Sequence, residues 1–146
     1  MAAKKILIGN RFLSYDLIEQ VMQKGVKVDL HTSAKNKINR CRKFLEERLK
    51  NDSSPVYGVN TGFGALHHIK ISPAEIGTLQ KNLVRSHACG TGDEVSAEIV
   101  RLMLLIKINS LALGHSGVRL QLVQRLVYFF NNDILPVVYE TGSLGA

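Results

Sequence analysis

Tyr57-Gly58-Val59-Asn60-Thr61-Gly62-Phe63-Gly64 is the segment on which the reading of the chain turns. Three glycines within seven residues rule out a regular helix and permit positive φ and close backbone approach. A phosphate cradle is one reading. However, no Gly-Lys-Ser/Thr follows, and the spacing is not Gly-x-Gly-x-x-Gly. The residues alone favour a structural loop. The functional alternative is a mobile loop that carries Tyr57 over a site. A tyrosine acts as a base only where its surroundings lower a pKa that is ordinarily ~10.

On the amino-terminal side, Ile6–Ile8 and Val26–Leu30 read as short strands. Between them Leu17, Ile18, Val21 and Met22 recur at helical spacing over Ser14–Lys24, and Gly25 ends that helix. Ser33 is the expected N-cap of an amphipathic helix over 34–50, with Ile38, Cys41, Leu45 and Leu49 on one face. Asn51–Pro55 is a loop by composition.

On the other side, Ser72-Pro73-Ala74-Glu75 predicts a sharp helix start: a capping serine, proline at the first helical position, and a capping-box glutamate. Ile76, Leu79 and Leu83 form the inner stripe of that helix, and His87 falls on the same stripe. Cys89–Asp93 reads as a glycine turn. Ala97–Leu113 is apolar on nearly every side, which suits a helix central to a larger helical body. Gly114–Gly117 breaks it, Val118–Asn131 resumes helical periodicity, and Ile134–Tyr139 reads as a strand. Gly142–Ala146 makes a poor natural terminus, so the expectation is a fragment that continues past Ala146.

The remaining polar motifs are weak. His87 on an apolar stripe is by default a satisfied core histidine; the alternative is a substrate contact at a helix end. Gly114-His115-Ser116-Gly117 misses the nucleophile elbow, because residue 118 is Val118 rather than glycine. It reads as a helix break and cap. His67-His68 lacks any metal-binding spacing, so no metal is expected.

The 146 residues are 45% hydrophobic and 21% charged, enough to bury a core. A net charge of +7 raises nucleic acid as a partner. The cations are scattered, however, and with 6% aromatics and no Trp there are few stacking surfaces. Neither nucleic acid nor membrane is expected as a partner. The longest run of large apolar residues, Leu102–Ile106, is far too short to span a bilayer. Cys41 and Cys89 stand apart in no redox or metal spacing, and the first residues do not read as a signal peptide. Together these favour a reduced, cytoplasmic protein.

Four blocks in order carry a resemblance. Tyr57–Gly64 resembles the tyrosine loop of the aromatic amino acid ammonia-lyases. Leu79–Ala88, reading LQKNLVRSHA, resembles the helix that follows it in that family. Gly114–Arg119 is a third block, and Gly142–Ala146 resembles the approach to the family's Ala-Ser-Gly triplet. The resemblance runs from about residue 30 to the end.

It implies a mainly α fold: the amino-terminal portion of an elongated helical bundle with a few short strands. It also implies a cofactor made from the chain itself, the methylidene-imidazolone group (MIO) formed from Ala-Ser-Gly, of which Ala146 would be the first residue. No external cofactor is implied. Tyr57 would be the base, and Gly64 would lie close to the substrate, where a side chain would intrude. Ser86 and His87 would contact the substrate side chain, and this pair resembles that of the histidine-specific members. The implied reaction is then elimination of ammonia from L-histidine to give trans-urocanate, in a homotetramer that shares its sites between subunits. Arg85-Ser86-His87 followed by Gly90-Thr91-Gly92 also occurs in some bacterial tyrosine lyases, which leaves tyrosine lyase or aminomutase activity as an alternative. Asn60 stands where phenylalanine-type members tend to have Thr. Without the serine of the triplet, the chain alone is not expected to be active. A non-catalytic basic helical interaction module is the remaining alternative, resting on the charge alone.

Overall fold

The computed structural model describes residues 4–51 and 54–142. These hold five α-helices and two two-stranded sheets, and they separate into two compact units. The mainly α expectation therefore holds. The first unit takes in the described residues up to Arg48 together with Ser96–Val137, and the second takes in Leu49–Val95 and the described residues from Val138 onward. No described helix is long and apolar enough to cross a membrane.

In the first unit, β1 (Lys5–Ile8) pairs in parallel with β2 (Lys27–Leu30), from Lys5 opposite Lys27 to Ile8 opposite Leu30. Parallel neighbours need a crossover, and α1 (Tyr15–Met22) supplies it. Ser14 caps α1 by accepting the Leu17 N–H at 3.3 Å. Alternation in the strands turns Ile6, Ile8, Val28 and Leu30 into the core, where Leu17 and Val21 of α1 join them. From the other side come α2 (Thr32–Asn51), α4 (Ala97–Ala112) and α5 (Leu120–Asn131), burying Ile38, Leu105, Ile108, Val123 and Phe130. Helix α4 buries only one of its apolar faces within the described residues. Ile99, Met103 and Ile106 stay about half exposed.

Two polar contacts lock this core. The Asn131 carboxamide accepts the Val28 N–H and donates to the Val28 carbonyl, both at 2.8 Å, so the end of α5 completes the bonding of a buried strand residue. Arg101 of α4 stacks over the Phe130 ring at 3.9 Å, donates to the Phe130 carbonyl at 2.8 Å and pairs with Asp133.

Helix starts differ in detail from the sequence expectation. Helix α2 begins at Thr32, so Ser33 lies in its first turn. The capping position falls to His31, whose carbonyl accepts the Lys35 N–H and whose Nδ1 accepts the Ser33 N–H at 3.1 Å. Helix α5 begins at Leu120 rather than Val118, with no side-chain cap at Arg119. The Gly114–Gly117 break is as expected, and Gly114 has a packing reason. At φ +77 a Cβ there would lie 2.7 Å from Cβ of Lys37, so only glycine lets this turn rest on α2.

The second unit contains α3 (Ile76–His87) and an antiparallel pair, β3 (Gly90–Glu94) and β4 (Tyr139–Gly142). Both strands correct the sequence reading. The expected turn at Cys89–Asp93 is mostly strand, and the expected strand at Ile134–Tyr139 only begins at Tyr139. Gly90 faces Gly142, Thr91 faces Thr141, and a bulge precedes Glu94 opposite Tyr139. The start of α3 also differs. Residues 73–75 form a turn, and the Ser72 hydroxyl bonds the Glu75 carboxylate at 2.5 Å instead of capping a backbone N–H. The Ser72 carbonyl accepts the Glu75 and Ile76 N–H groups, which delays the helix to Ile76.

Asp29, on β2 facing Lys5 and Lys35, has a clearly shifted titration. Burial pushes its carboxyl up, but the Lys5 hydrogen bond at 2.9 Å, the Leu30 N–H, and the charges of Lys35 at 3.6 Å and of Lys5 outweigh that and hold it below its ordinary value. A folded pKa below the unfolded one stabilises at pH above the unfolded value of ~3.9, and the gain vanishes as pH falls through the folded value. Asp29→Asn is expected to cost about 0.5–1 kcal/mol at pH 7, the scale of a partly exposed ion pair. Urea unfolding of both proteins at pH 7 and in steps below pH 4 checks this: the gap should close with acid, and a constant gap would refute the electrostatic origin.

Candidate active site

The glycine loop is held from beneath by Asn60. Its Oδ1 accepts the Val56 N–H at 2.6 Å, and its Nδ2 donates to the Ser54 carbonyl at 3.3 Å. The Val59 and Asn60 N–H groups close back onto the Val56 carbonyl. Residues 56–60 are therefore a closed turn with Tyr57 exposed on it. Asn60 and Thr61 are the buried polar residues of this unit. From Asn60 the chain runs against residues 69–71: the Ile71 N–H donates to the Asn60 carbonyl and the Gly62 N–H to the Ile69 carbonyl, both at 2.9 Å.

Two glycines here have different reasons. A Cβ at Gly62 would lie 2.7 Å from both Cβ and the carbonyl oxygen of Leu66, so packing within the loop excludes any side chain. Gly64 sits at φ +56, and a Cβ there would meet no atom within 4 Å. Its requirement within this chain is conformational, and the space beside it is open.

Next to the loop lies a cavity of about 320 Å³, near the lower end of small-molecule sites, ~300–1,000 Å³. Phe63, Leu66, Ile69, Ile71, Leu79 and Leu83 make its apolar wall. Asn82, Ser86 and His87 are its side-chain polar groups. The stripe expected on α3 is real, since Leu79, Leu83 and His87 share this face, but His87 is exposed rather than a core histidine. The Ser86 hydroxyl donates to the Leu83 carbonyl at 2.9 Å, and Nδ1 of His87 lies 2.9 Å from the same oxygen and 3.0 Å from Oγ of Ser86.

Thus Ser86 and His87 line one cavity. Gly64 follows the wall residue Phe63. Tyr57 does not line the cavity but meets Phe63 edge-on, with ring centroids 6.0 Å apart. Ala146 lies outside the described residues. Sequence reasoning did not assign Asn60 its clamping role; the available signal was an asparagine in a glycine-rich turn. His67 and His68 are exposed and meet edge to face at 5.4 Å. Among the described residues, no three His, Cys, Asp or Glu side chains gather to hold a metal.

A family profile described as aromatic amino acid lyase matches residues 13–146. The chain belongs to the aromatic amino acid lyase family. Within it, the chain is 43% identical over 140 residues to the histidine ammonia-lyase of Deinococcus radiodurans, a match covering 96% of this chain and 26% of that enzyme. Among solved structures it resembles histidine ammonia-lyase from Trypanosoma cruzi, with a TM-score of 0.80 at 31% identity, covering 95% of this chain and 27% of that one. It also resembles tyrosine aminomutase from Streptomyces globisporus, with a TM-score of 0.85 at 29% identity, covering 95% and 26%. The chain thus spans about a quarter of the length of the lyases it matches.

The clamp at Asn60 gives a direct expectation. Asn60→Ala strips the Val56 N–H and the Ser54 carbonyl of these partners beneath the loop, a loss of about 1–3 kcal/mol for such groups. Limited proteolysis should show cleavage near residues 54–64 rising steeply in Asn60→Ala and less in Asn60→Asp, which keeps the acceptor. Equal protection in all three proteins would show that the clamp does not hold the loop.

Proposed function

We propose that the cavity beside Ser86 and His87 receives the imidazole side chain of L-histidine, and that a lyase of the relatives' full length containing this segment converts it to trans-urocanate and ammonia in histidine degradation. The observation that carries this reading is a mostly apolar lining that includes Ser86 and His87. The wall suits the faces of an aromatic ring, and His87 offers a hydrogen-bonding partner for a ring nitrogen. The likeness to histidine ammonia-lyases supports the same substrate.

Tyr57 is the proposed base. As a phenolate it takes a proton from the substrate β-carbon, the electrons of that C–H bond form the C=C bond, and the C–N bond breaks to release ammonia. Its edge contact with Phe63 ties it to a residue of the cavity wall. MIO, proposed to form from an Ala-Ser-Gly triplet beginning at Ala146, supplies an electrophile that turns the amine into a good leaving group. The backbone is arranged to suit this: Gly142, four residues before Ala146, pairs with Gly90, three residues after His87. The strand leading toward the triplet thus runs beside the end of the helix that carries the substrate contact. A homotetramer and a cytoplasmic location belong to the same proposal, by likeness to the family.

A second reading keeps the site and changes the substrate to tyrosine, whose phenol could also meet His87. The likeness to a tyrosine aminomutase, 29% identical with 95% of this chain covered, supports it. Assaying both amino acids side by side, with urocanate and coumarate absorbance as readouts, separates the two. Histidine should be the substrate, and His87→Leu should lower its kcat/KM by about 100-fold, within the cost of leaving a ring nitrogen unpaired. Turnover of tyrosine but not histidine, or indifference to His87→Leu, would reject the histidine reading.

A further inference from the structure

The end of α3 contains three mutual polar contacts whose protons can be assigned. Nδ1 of His87 lies 2.9 Å from the Leu83 carbonyl oxygen and 3.0 Å from Oγ of Ser86, and that Oγ lies 2.9 Å from the same carbonyl. A carbonyl oxygen can only accept. The Ser86 hydroxyl has a single hydrogen, which it donates to Leu83. A bare Nδ1 would then face the carbonyl lone pair with its own, with no proton between them. A protonated Nδ1 satisfies all three contacts: it donates to Leu83 and is shared with Oγ of Ser86, which accepts while donating its own hydrogen onward.

In the neutral ring the other nitrogen, Nε2, is then left bare as an acceptor. This is the reverse of an unconstrained neutral histidine, which favours its proton on Nε2. The setting makes the difference matter. His87 is exposed and lines the cavity, whose other polar side chains are Asn82 and Ser86.

We propose that the Leu83 carbonyl and the Ser86 hydroxyl lock His87 as the Nδ1–H tautomer, leaving its Nε2 a bare hydrogen-bond acceptor. Ser86 is then a positioning residue, acting through His87. The tautomer does not rest on the proposed function.

The test is a two-bond proton–nitrogen correlation of the ¹⁵N-labelled full chain, recorded about two pH units above the ordinary histidine value of ~6.5. Nδ1 of His87 should resonate as a protonated nitrogen and Nε2 as a bare one. Ser86→Ala should shift the ring toward the Nε2–H form, and Ser86→Thr, which keeps a hydroxyl, should restore it. Backbone amide shifts along α3 show whether each variant keeps the helix. A wild-type ring with its proton on Nε2 overturns the lock, and a tautomer ratio unmoved by Ser86→Ala removes Ser86 from it. Neither readout involves turnover, so an inactive enzyme with an Nδ1–H ring would sink the histidine reading and leave this inference standing, and the converse result would do the opposite.

Discussion

A single buried carboxamide, that of Asn60, bridges the Ser54 carbonyl and the Val56 N–H beneath a loop that has three glycines. Glycine gives a loop freedom, and that freedom must be removed before the loop can place a side chain. Asn60 removes it from inside. Its backbone carbonyl then accepts from Ile71, just ahead of α3, so the turn carrying Tyr57 and the approach to the helix carrying Ser86 and His87 are one hydrogen-bonded piece. The apolar cavity occupies the angle between them.

The strand pair continues the same logic past the helix. After His87 the chain enters β3, and β4 runs antiparallel to it with Gly142 beside Gly90. A Cβ at Gly90 would fall 2.5 Å from the Tyr139 ring, and one at Gly142 would fall 2.9 Å from the Cys89 carbonyl, so the pair closes only because both are glycine. The first unit has a different economy, an apolar core between a parallel strand pair and helices, with Asn131 and Arg101 satisfying its buried backbone groups.

Periodicity made α1, α2, α4 and α5 legible, because each buries a face whose spacing is written locally. The sheet of the second unit was not legible in this way. Gly90-Thr91-Gly92 has little strand propensity and becomes a strand only through a partner some fifty residues away, while Ile134–Val138, β-branched at three of five positions, lies outside any strand, although the Val138 carbonyl accepts the Val95 N–H at 2.8 Å. His87 shows the limit of pattern most clearly. Spacing put it on the correct face of α3, but exposure depends on what covers that face, and no helical repeat encodes that. The Ser33 and Ser72 caps failed for a related reason: His31 and Glu75 offered those hydroxyls other partners. The family, by contrast, was legible in four short blocks that no periodicity dictates; in two of them close packing requires glycine, at Gly62 and at Gly114.

The central claim is that the ring of a substrate histidine enters this cavity and donates to His87. It is tested most directly by a crystal structure of a lyase of the relatives' full length containing this segment, with L-histidine bound. The account predicts an imidazole nitrogen ~2.7–3.2 Å from Nε2 of His87, a hydrogen-bond distance, with Leu79 and Leu83 against the ring. An imidazole seated elsewhere, or one facing His87 without a hydrogen bond, would contradict it.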